Sequence, residues 1–229
     1  MNFKEYLIES LTKYDAAHKI AQQNAALPIE KGGLGLHPEN TAKDRAKALG
    51  FNTDTPMYRG LSQEHDHTKN QHVIWTTDSP AHASVYTDNG IDGHGGNVMK
   101  VFVKSKHPMS MGFRNIEDTQ LKIKDVKERF KDRIMSAYEN GITDADTAKK
   151  SFNHIKNIPD TNEYKLAWEH RNSHPAFHEA IKSVGYDSYE EPETYGKKHN
   201  TIGVFSPHQI RSVHAAFDPK RQHEHDILA

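Results

Sequence analysis

Cysteine is absent from this chain. Disulfide bonds, thiolate metal ligands, iron–sulfur clusters and cysteine nucleophiles are therefore excluded, and a reducing compartment is permitted. Long apolar runs are absent as well, because no stretch reaches the roughly 18 residues that a membrane-spanning helix needs. The first residues mix acidic and apolar side chains, which is not typical of a secretory signal peptide. We expect a protein that works in a cytoplasm and does not enter a membrane.

An excess of charge of one sign is also missing. The 229 residues include 30 Lys and Arg against 31 Asp and Glu, for a formal net charge of −1. General nucleic-acid binding draws most of its affinity from neutralising phosphates, so this balance argues against it. With 34% hydrophobic residues the chain can still build a core.

Several common catalytic motifs are missing too. The glycine-rich segments "GGLGLH" and "GHGGN" lack the context of a phosphate-binding loop, and no serine lies in a Gly-x-Ser-x-Gly turn. Histidines occur beside acidic residues at 64–67 and 223–226, without the spacing that places two metal ligands on one helix face. We therefore expect no metal.

The pattern of apolar residues predicts an α+β protein. Residues 3–26 have helical spacing, and a short capped helix follows from Asn40 or Thr41 to Gly50. Strands are predicted at "TPMYRG", "HVIWTT", "VMKVFVKS" and "GYDSYEE", and on both sides of Pro207. We divide the chain into an N-terminal helical region, 1–50, and a domain, 51–229, with a helical insertion at 116–181. The polar tail from Asp218 is expected to be loosely held.

Two short stretches raise the question of a ligand site. In "VIWTTDSPAHASVYT", Trp75 is predicted on a strand and Tyr86 on the helix that follows it. Their two rings could therefore hold a flat aromatic ligand between them. The alternative is that both rings fill the core. In "MYRG", Arg59 would need a partner if buried and could meet a phosphate or ribose, and Gly60 would let a ligand approach the backbone.

The order of the motifs then suggests a family. "AALPIEKGGLGLHPENTAKDRAKALGFNTDTPMYRG", "VIWTTDSPAHASVYT", "GNVMKVFVKSKHPM", "GYDSY" and "IGVFSPHQIRSVHAAFDP" resemble the ADP-ribosyltransferase domain of phage and mobile-element polyvalent proteins, over roughly residues 20–112 and 181–219. The resemblance implies two small, mostly antiparallel sheets around a cleft that binds NAD. It also implies a toxin or effector that transfers ADP-ribose from NAD to a host macromolecule and releases nicotinamide. Such a protein would act in the host cytoplasm, free or after packaging in a virion.

The resemblance also implies site residues. Trp75 and Tyr86 would sandwich nicotinamide, while Arg59 would hold the ribose or pyrophosphate. The Thr76–Thr77 pair matches a strand motif of a related branch of the superfamily. The NAD-binding positions implied in this way are Tyr58, Arg59, Gly60, Trp75, Thr76, Thr77 and Tyr86.

The chain departs from the family at the catalytic glutamate, whose matching position is Thr201, or Asn200 if the register slips by one residue. The nearest acids, Glu190, Glu191 and Glu193, are expected on a loop before that strand. In one interpretation Glu191 or a neighbour swings in from this mobile loop, and the catalytic set is Arg59, Tyr86, Thr201 and Glu191. In another, Thr201 only hydrogen-bonds the ribose, and the protein is a weak or inactive NAD- or partner-binding module whose helical insertion contacts the partner. A third is an NAD glycohydrolase, with water as acceptor.

Overall fold

A computed structural model describes residues 3–61, 73–88, 97–110, 120–160, 164–166, 175–193 and 199–229. The chain divides into two compact units. The first contains Met1–Met57, Met99–Lys104 and Pro207–Ala229, and the second contains Tyr58–Val98 and Ser105–Ser206.

The described part of the chain forms six α-helices and nine strands. The helices are α1 (Phe3–Ala26), α2 (Ala42–Ala48), α3 (Pro80–Asp88), α4 (Ile123–Glu139), α5 (Ala145–Lys156) and α6 (Pro175–Ser183). The strands are β1 (Asn52–Leu61), β2 (Ile74–Thr77), β3 (Asn97–Val103), β4 (Pro108–Met109), β5 (Gln120–Lys122), β6 (Tyr164–Leu166), β7 (Ser188–Glu193), β8 (His199–Val204) and β9 (Ile210–Ser212).

Seven of these strands form one mixed sheet in the order β4-β7-β8-β2-β1-β3-β9, and β5 and β6 form a separate antiparallel pair. Strand β4 runs parallel to β7, whereas β8 is antiparallel to both β7 and β2. The predicted α+β class is confirmed. The two small sheets implied by the family resemblance are not seen in the described ranges, because all four residues of β2 pair with β8 and join early and late strands in one sheet.

The first unit is organised around a buried arginine. The guanidinium of Arg45 donates from Nε to the carbonyl oxygen of Ala216 (2.8 Å) and from Nη1 to Oδ1 of Asn40 (2.9 Å). Burial lowers the pKa of Arg45, and the charge of Asp218 opposes that effect. Nearby, the phenyl ring of Phe51 meets Phe217 edge-on at 5.3 Å between centroids.

The tail is held more firmly than its composition suggests. The amide of Ala216 donates to the carbonyl oxygen of Leu228, and the amide of Phe217 donates to that of Ala229, both at 3.1 Å. The expectation of a loose tail from Asp218 was therefore wrong. These hydrogen bonds join backbone groups, which every residue carries, so the polar side chains of the segment gave no indication of them.

The second unit has its core between the sheet and three helices. Residues with helical spacing on α4 are buried, and the ring of Phe130 on α4 lies 4.5 Å from that of Phe177 on α6. They pack with Tyr189 and Phe205 from the sheet side. Within the segment predicted as a helical insertion, 116–181, the described residues form α4, α5, most of α6 and the strand pair β5 and β6. The three helices supply most of this core.

Lys127 on α4 is the buried cation of this core. Its Nζ donates to the carbonyl oxygens of Ile158 (2.8 Å) and Lys156 (3.3 Å), and it pairs with Asp160 at 2.9 Å. The last carbonyls of α5 and the turn after it thereby gain a donor that the helix itself cannot provide.

Substitution of Lys127 by Met tests this capping role. Lys127→Met removes the donor and leaves buried carbonyl groups unsatisfied, so we expect a loss of about 1–3 kcal/mol in the free energy of unfolding, measured by denaturant titration. The matched control is Lys131→Met, one turn along the same helix, where the lysine pairs only with exposed Glu128. We expect a loss below about 0.5 kcal/mol there. Equal losses in the two variants would contradict the capping role.

Candidate active site

Four of the predicted site residues lie in one line across four strands of the second unit. Tyr58 on β1 is opposite Thr77 on β2, Thr77 is opposite Thr201 on β8, and Thr201 is opposite Glu191 on β7. Directly opposed residues of antiparallel strands project from the same face of the sheet, with Cβ atoms about 5 Å apart. We call this set, Tyr58, Thr77, Thr201 and Glu191, the cross-strand row.

Glu191 and Thr201 stand at one end of the cross-strand row, and both residues are buried, with only 6% of each exposed. Within the described part of the chain, the hydroxyl Oγ1 of Thr201 is buried and makes no hydrogen bond. The expectation that Glu191 lies on a mobile loop was wrong, because every residue of β7 pairs with a residue of β8. A carboxylate is therefore built into the sheet beside the position where the family glutamate was expected.

The neighbouring acid, Glu190, projects from the opposite face by strand alternation. Its Oε1 accepts a hydrogen bond of 2.8 Å from Nδ2 of Asn200. Of the two adjacent glutamates, only Glu191 lies in the cross-strand row.

Trp75 supports this register by packing. Its indole covers the opposed residue Gly203, where a Cβ atom would come within 2.7 Å of indole carbons Cε3 and Cζ3. The indole also stacks on Tyr189 at 6.1 Å and 15°, and it packs against the core of the second unit. The core-packing alternative considered for Trp75 thus has direct structural support.

Helix α3 packs closely on strand β1 at Gly60. The helix begins at Pro80, and the hydroxyl of Ser79 caps its N-terminus by accepting a hydrogen bond from the amide of His82. A Cβ atom on Gly60 would lie 2.2 Å from the carbonyl oxygen of Ala83. Helix α3 therefore occupies the space that a side chain at position 60 would need, which explains why this residue is a glycine.

Tyr86 lies on α3 and is 58% exposed. Its hydroxyl is 3.4 Å from Nε2 of His82, and the two rings meet edge-on. The ring of His82 lies 4.0 Å from that of His199, a buried residue two positions before Thr201 on β8. The two predicted aromatics thus have different ring neighbours, Tyr189 for Trp75 and His82 for Tyr86. Sequence reasoning missed both histidines, although the four-residue spacing of His82 and Tyr86 on α3 was a readable signal.

Arg59 and Thr76 lie outside the cross-strand row. Each is next in sequence to a member of the row, so alternation directs its side chain to the opposite face. Arg59 is buried, and this burial lowers its pKa to about 10, which leaves it a cation at neutral pH. The hydroxyl of Thr76 donates to the carbonyl oxygen of Ile202 at 3.0 Å.

Among the residues that the structure describes, no three histidine, aspartate or glutamate side chains are grouped to hold a metal ion. The histidine-rich segment at 64–67 lies outside those residues. No described helix has the length and apolar character required to cross a membrane.

Comparison with known proteins identifies one family. A family model described as "ADP-ribosyltransferase in polyvalent proteins" matches residues 58–217, more than two thirds of the chain. The match includes the whole cross-strand row and the segment 116–181, whereas the motifs read from the sequence began near residue 20 and left that segment out. No curated protein and no solved structure matches the chain.

The contact between α3 and Gly60 leads to a prediction. Gly60→Ala places a methyl group against a backbone carbonyl that cannot rotate away, so we expect a loss of about 1–3 kcal/mol in the free energy of unfolding. Denaturant titration measures it, with Ser84→Ala on α3 as control, because its hydroxyl bonds only within the helix at an exposed position. A Gly60→Ala protein as stable as wild type would show that α3 does not pack this closely.

Proposed function

The chain belongs to the family of ADP-ribosyltransferases in polyvalent proteins, and on this premise we propose that it cleaves NAD and transfers ADP-ribose to a macromolecular acceptor, releasing nicotinamide. The observation that carries the proposal is the place of Glu191. This carboxylate lies directly opposite Thr201, on the same face of the sheet.

The reaction requires a negative charge beside the ribose. Cleavage of the bond between nicotinamide and ribose develops positive charge on the sugar, as in glycoside hydrolysis. A fixed carboxylate in a site shielded from water stabilises that charge, and it can also bind the ribose hydroxyl groups. We propose that Glu191, one strand away from the expected position, fulfils this role.

Other residues of the second unit suit a nucleotide substrate. The buried hydroxyl of Thr201, which has no hydrogen-bond partner within the described ranges, can bond a ribose hydroxyl. Tyr86 presents an exposed ring on which a flat nicotinamide can stack. Trp75, packed on Gly203 and Tyr189, holds the strands that carry these groups in register.

The pair of adjacent glutamates provides the first test. Glu191→Gln keeps the shape of the side chain and removes its charge, so we expect nicotinamide release to fall by roughly 10²-fold or more. Glu190→Gln is the matched control, because that side chain bonds Asn200 on the other face, and its release rate should stay close to that of wild type. Both proteins are checked by thermal denaturation. A similar loss in both variants would exclude a specific role for Glu191.

The same assay separates the alternatives. Release by wild type that rises with host lysate indicates transfer to an acceptor in the lysate. Release that does not respond to lysate indicates an NAD glycohydrolase. A folded wild-type protein that releases no nicotinamide under either condition would support the inactive binding module instead.

An exchange of the two opposed residues tests the position of the charge. The double variant Glu191→Thr, Thr201→Glu moves the carboxylate one strand along the cross-strand row, to the position that matches the family glutamate. We expect it to recover nicotinamide release relative to the single variant Glu191→Thr, because the charge stays on the same face about 5 Å away. If the double variant is folded and no more active than Glu191→Thr, the two positions are not equivalent.

A further inference from the structure

Two histidines lie beside the cross-strand row and have no role in the function proposed above. His199 is buried on β8, and its ring is 4.0 Å from that of His82 on α3, tilted by 39°. His199 shares the face of Thr201, since the two residues are two positions apart on one strand. His82 in turn lies 3.4 Å from the hydroxyl of exposed Tyr86. A chain of polar side chains therefore runs from the surface of α3 to His199, on the face of the sheet that carries the cross-strand row.

A pair of imidazoles at this distance holds one proton far more easily than two. An imidazole has an ordinary pKa near 6.5, so a neutral ring is available at neutral pH. Once one ring is protonated, the like charge disfavours protonation of the other. The pair therefore offers a proton acceptor on the face of the sheet that carries Glu191 and Thr201.

We propose that His199, with His82 behind it, takes the proton that the acceptor loses during ADP-ribosylation, an inference that rests on the proposed transfer reaction. The bond between ribose C1′ and the nicotinamide nitrogen breaks, and its electron pair neutralises the positively charged ring. A lone pair of the acceptor forms the new bond to C1′. The acceptor proton passes to His199 and leaves through His82 to solvent. Charge balances, because NAD loses its positive ring as one proton is released.

This role restricts the class of acceptor. A hydroxyl or a nitrogen that bears hydrogen must lose a proton when it is modified, and a general base assists that loss. A carboxylate acceptor carries no proton at neutral pH and needs no base. The structure therefore assigns the protein an acceptor that bears O–H or N–H and not a carboxylate.

Other ionisable groups lie on the elements next to the pair. They are Tyr86 on α3, Tyr58 on β1, Asp78 after β2 and Glu191 on β7. The carboxylates favour a protonated ring, whereas each imidazole opposes protonation of the other. Removing one histidine should therefore leave the remaining ring easier to protonate.

The pH profile of nicotinamide release, measured with lysate acceptor, tests this inference. In wild type kcat should rise with pH through roughly 6–7, as a neutral imidazole forms. His82→Gln should shift this rise to higher pH, and His199→Gln should lower kcat by roughly 10²-fold with little change in the KM for NAD. The control is His154→Gln at an exposed position of α5. Profiles of both variants that match wild type would overturn the proposal.

Two further measurements separate this inference from the proposed function. In an NMR pH titration, which needs no turnover, His199 should protonate at higher pH in His82→Gln than in wild type. An unchanged titration would overturn the coupling of the pair even in an inactive protein. Neutral hydroxylamine cleaves esters of carboxylates rapidly and ADP-ribosyl-arginine only slowly, so ADP-ribose labels on lysate proteins should survive a brief treatment, and their rapid loss would overturn the assigned acceptor class. A wild type that releases no nicotinamide would instead overturn the proposed function.

Discussion

The contact between the indole of Trp75 and the backbone of Gly203 is the constraint on which the rest of the second unit depends. Only a residue without a side chain allows the ring to lie this close, and the ring then stacks on Tyr189 of the next strand. This contact fixes β2, β8 and β7 in one register. A slip of one residue would carry Thr201 or Glu191 to the other face. The opposed pair of Trp75 and Gly203 lies two residues from Thr77 and Thr201 along the same strands, and it thereby keeps the cross-strand row aligned.

The helices support the same arrangement from one side. Buried residues of α4, α5 and α6 pack against Tyr189 and Phe205, and so they hold the face of the sheet that carries the row. Helix α3 approaches β1 at Gly60 and brings His82 next to His199. The segment first read as an insertion is in this sense part of the framework of the site. Trp75 and Tyr86, which the sequence suggested as one motif, differ in their surroundings. Trp75 packs between strands, whereas Tyr86 is exposed to solvent.

Local features were predictable from the sequence, and non-local ones were not. The sequence indicated helices α1, α2 and α3 and strands β1, β2, β3, β7, β8 and β9, but not the short strands β4, β5 and β6. Glu190, Glu191 and Glu193 were assigned to a loop before Thr201, although "GYDSYEE" was predicted as a strand, and pairing with β8 keeps all three glutamates in β7. His82 and His199 lie more than a hundred residues apart in the chain, and no local pattern predicts that their rings meet. The position of Thr201, by contrast, was indicated by the motif order alone.

The arrangement of Glu191 opposite Thr201 has a consequence for how such proteins diverge. Opposed positions on paired strands lie about 5 Å apart on one face, so a catalytic charge can pass from one strand to the next by two substitutions, without an insertion or a change of fold. The ancestral order of residues along the chain would then be lost, while the geometry around the substrate is kept. In such a lineage, enzymes that appear to have lost an essential acid when their sequences are aligned would retain it one strand away.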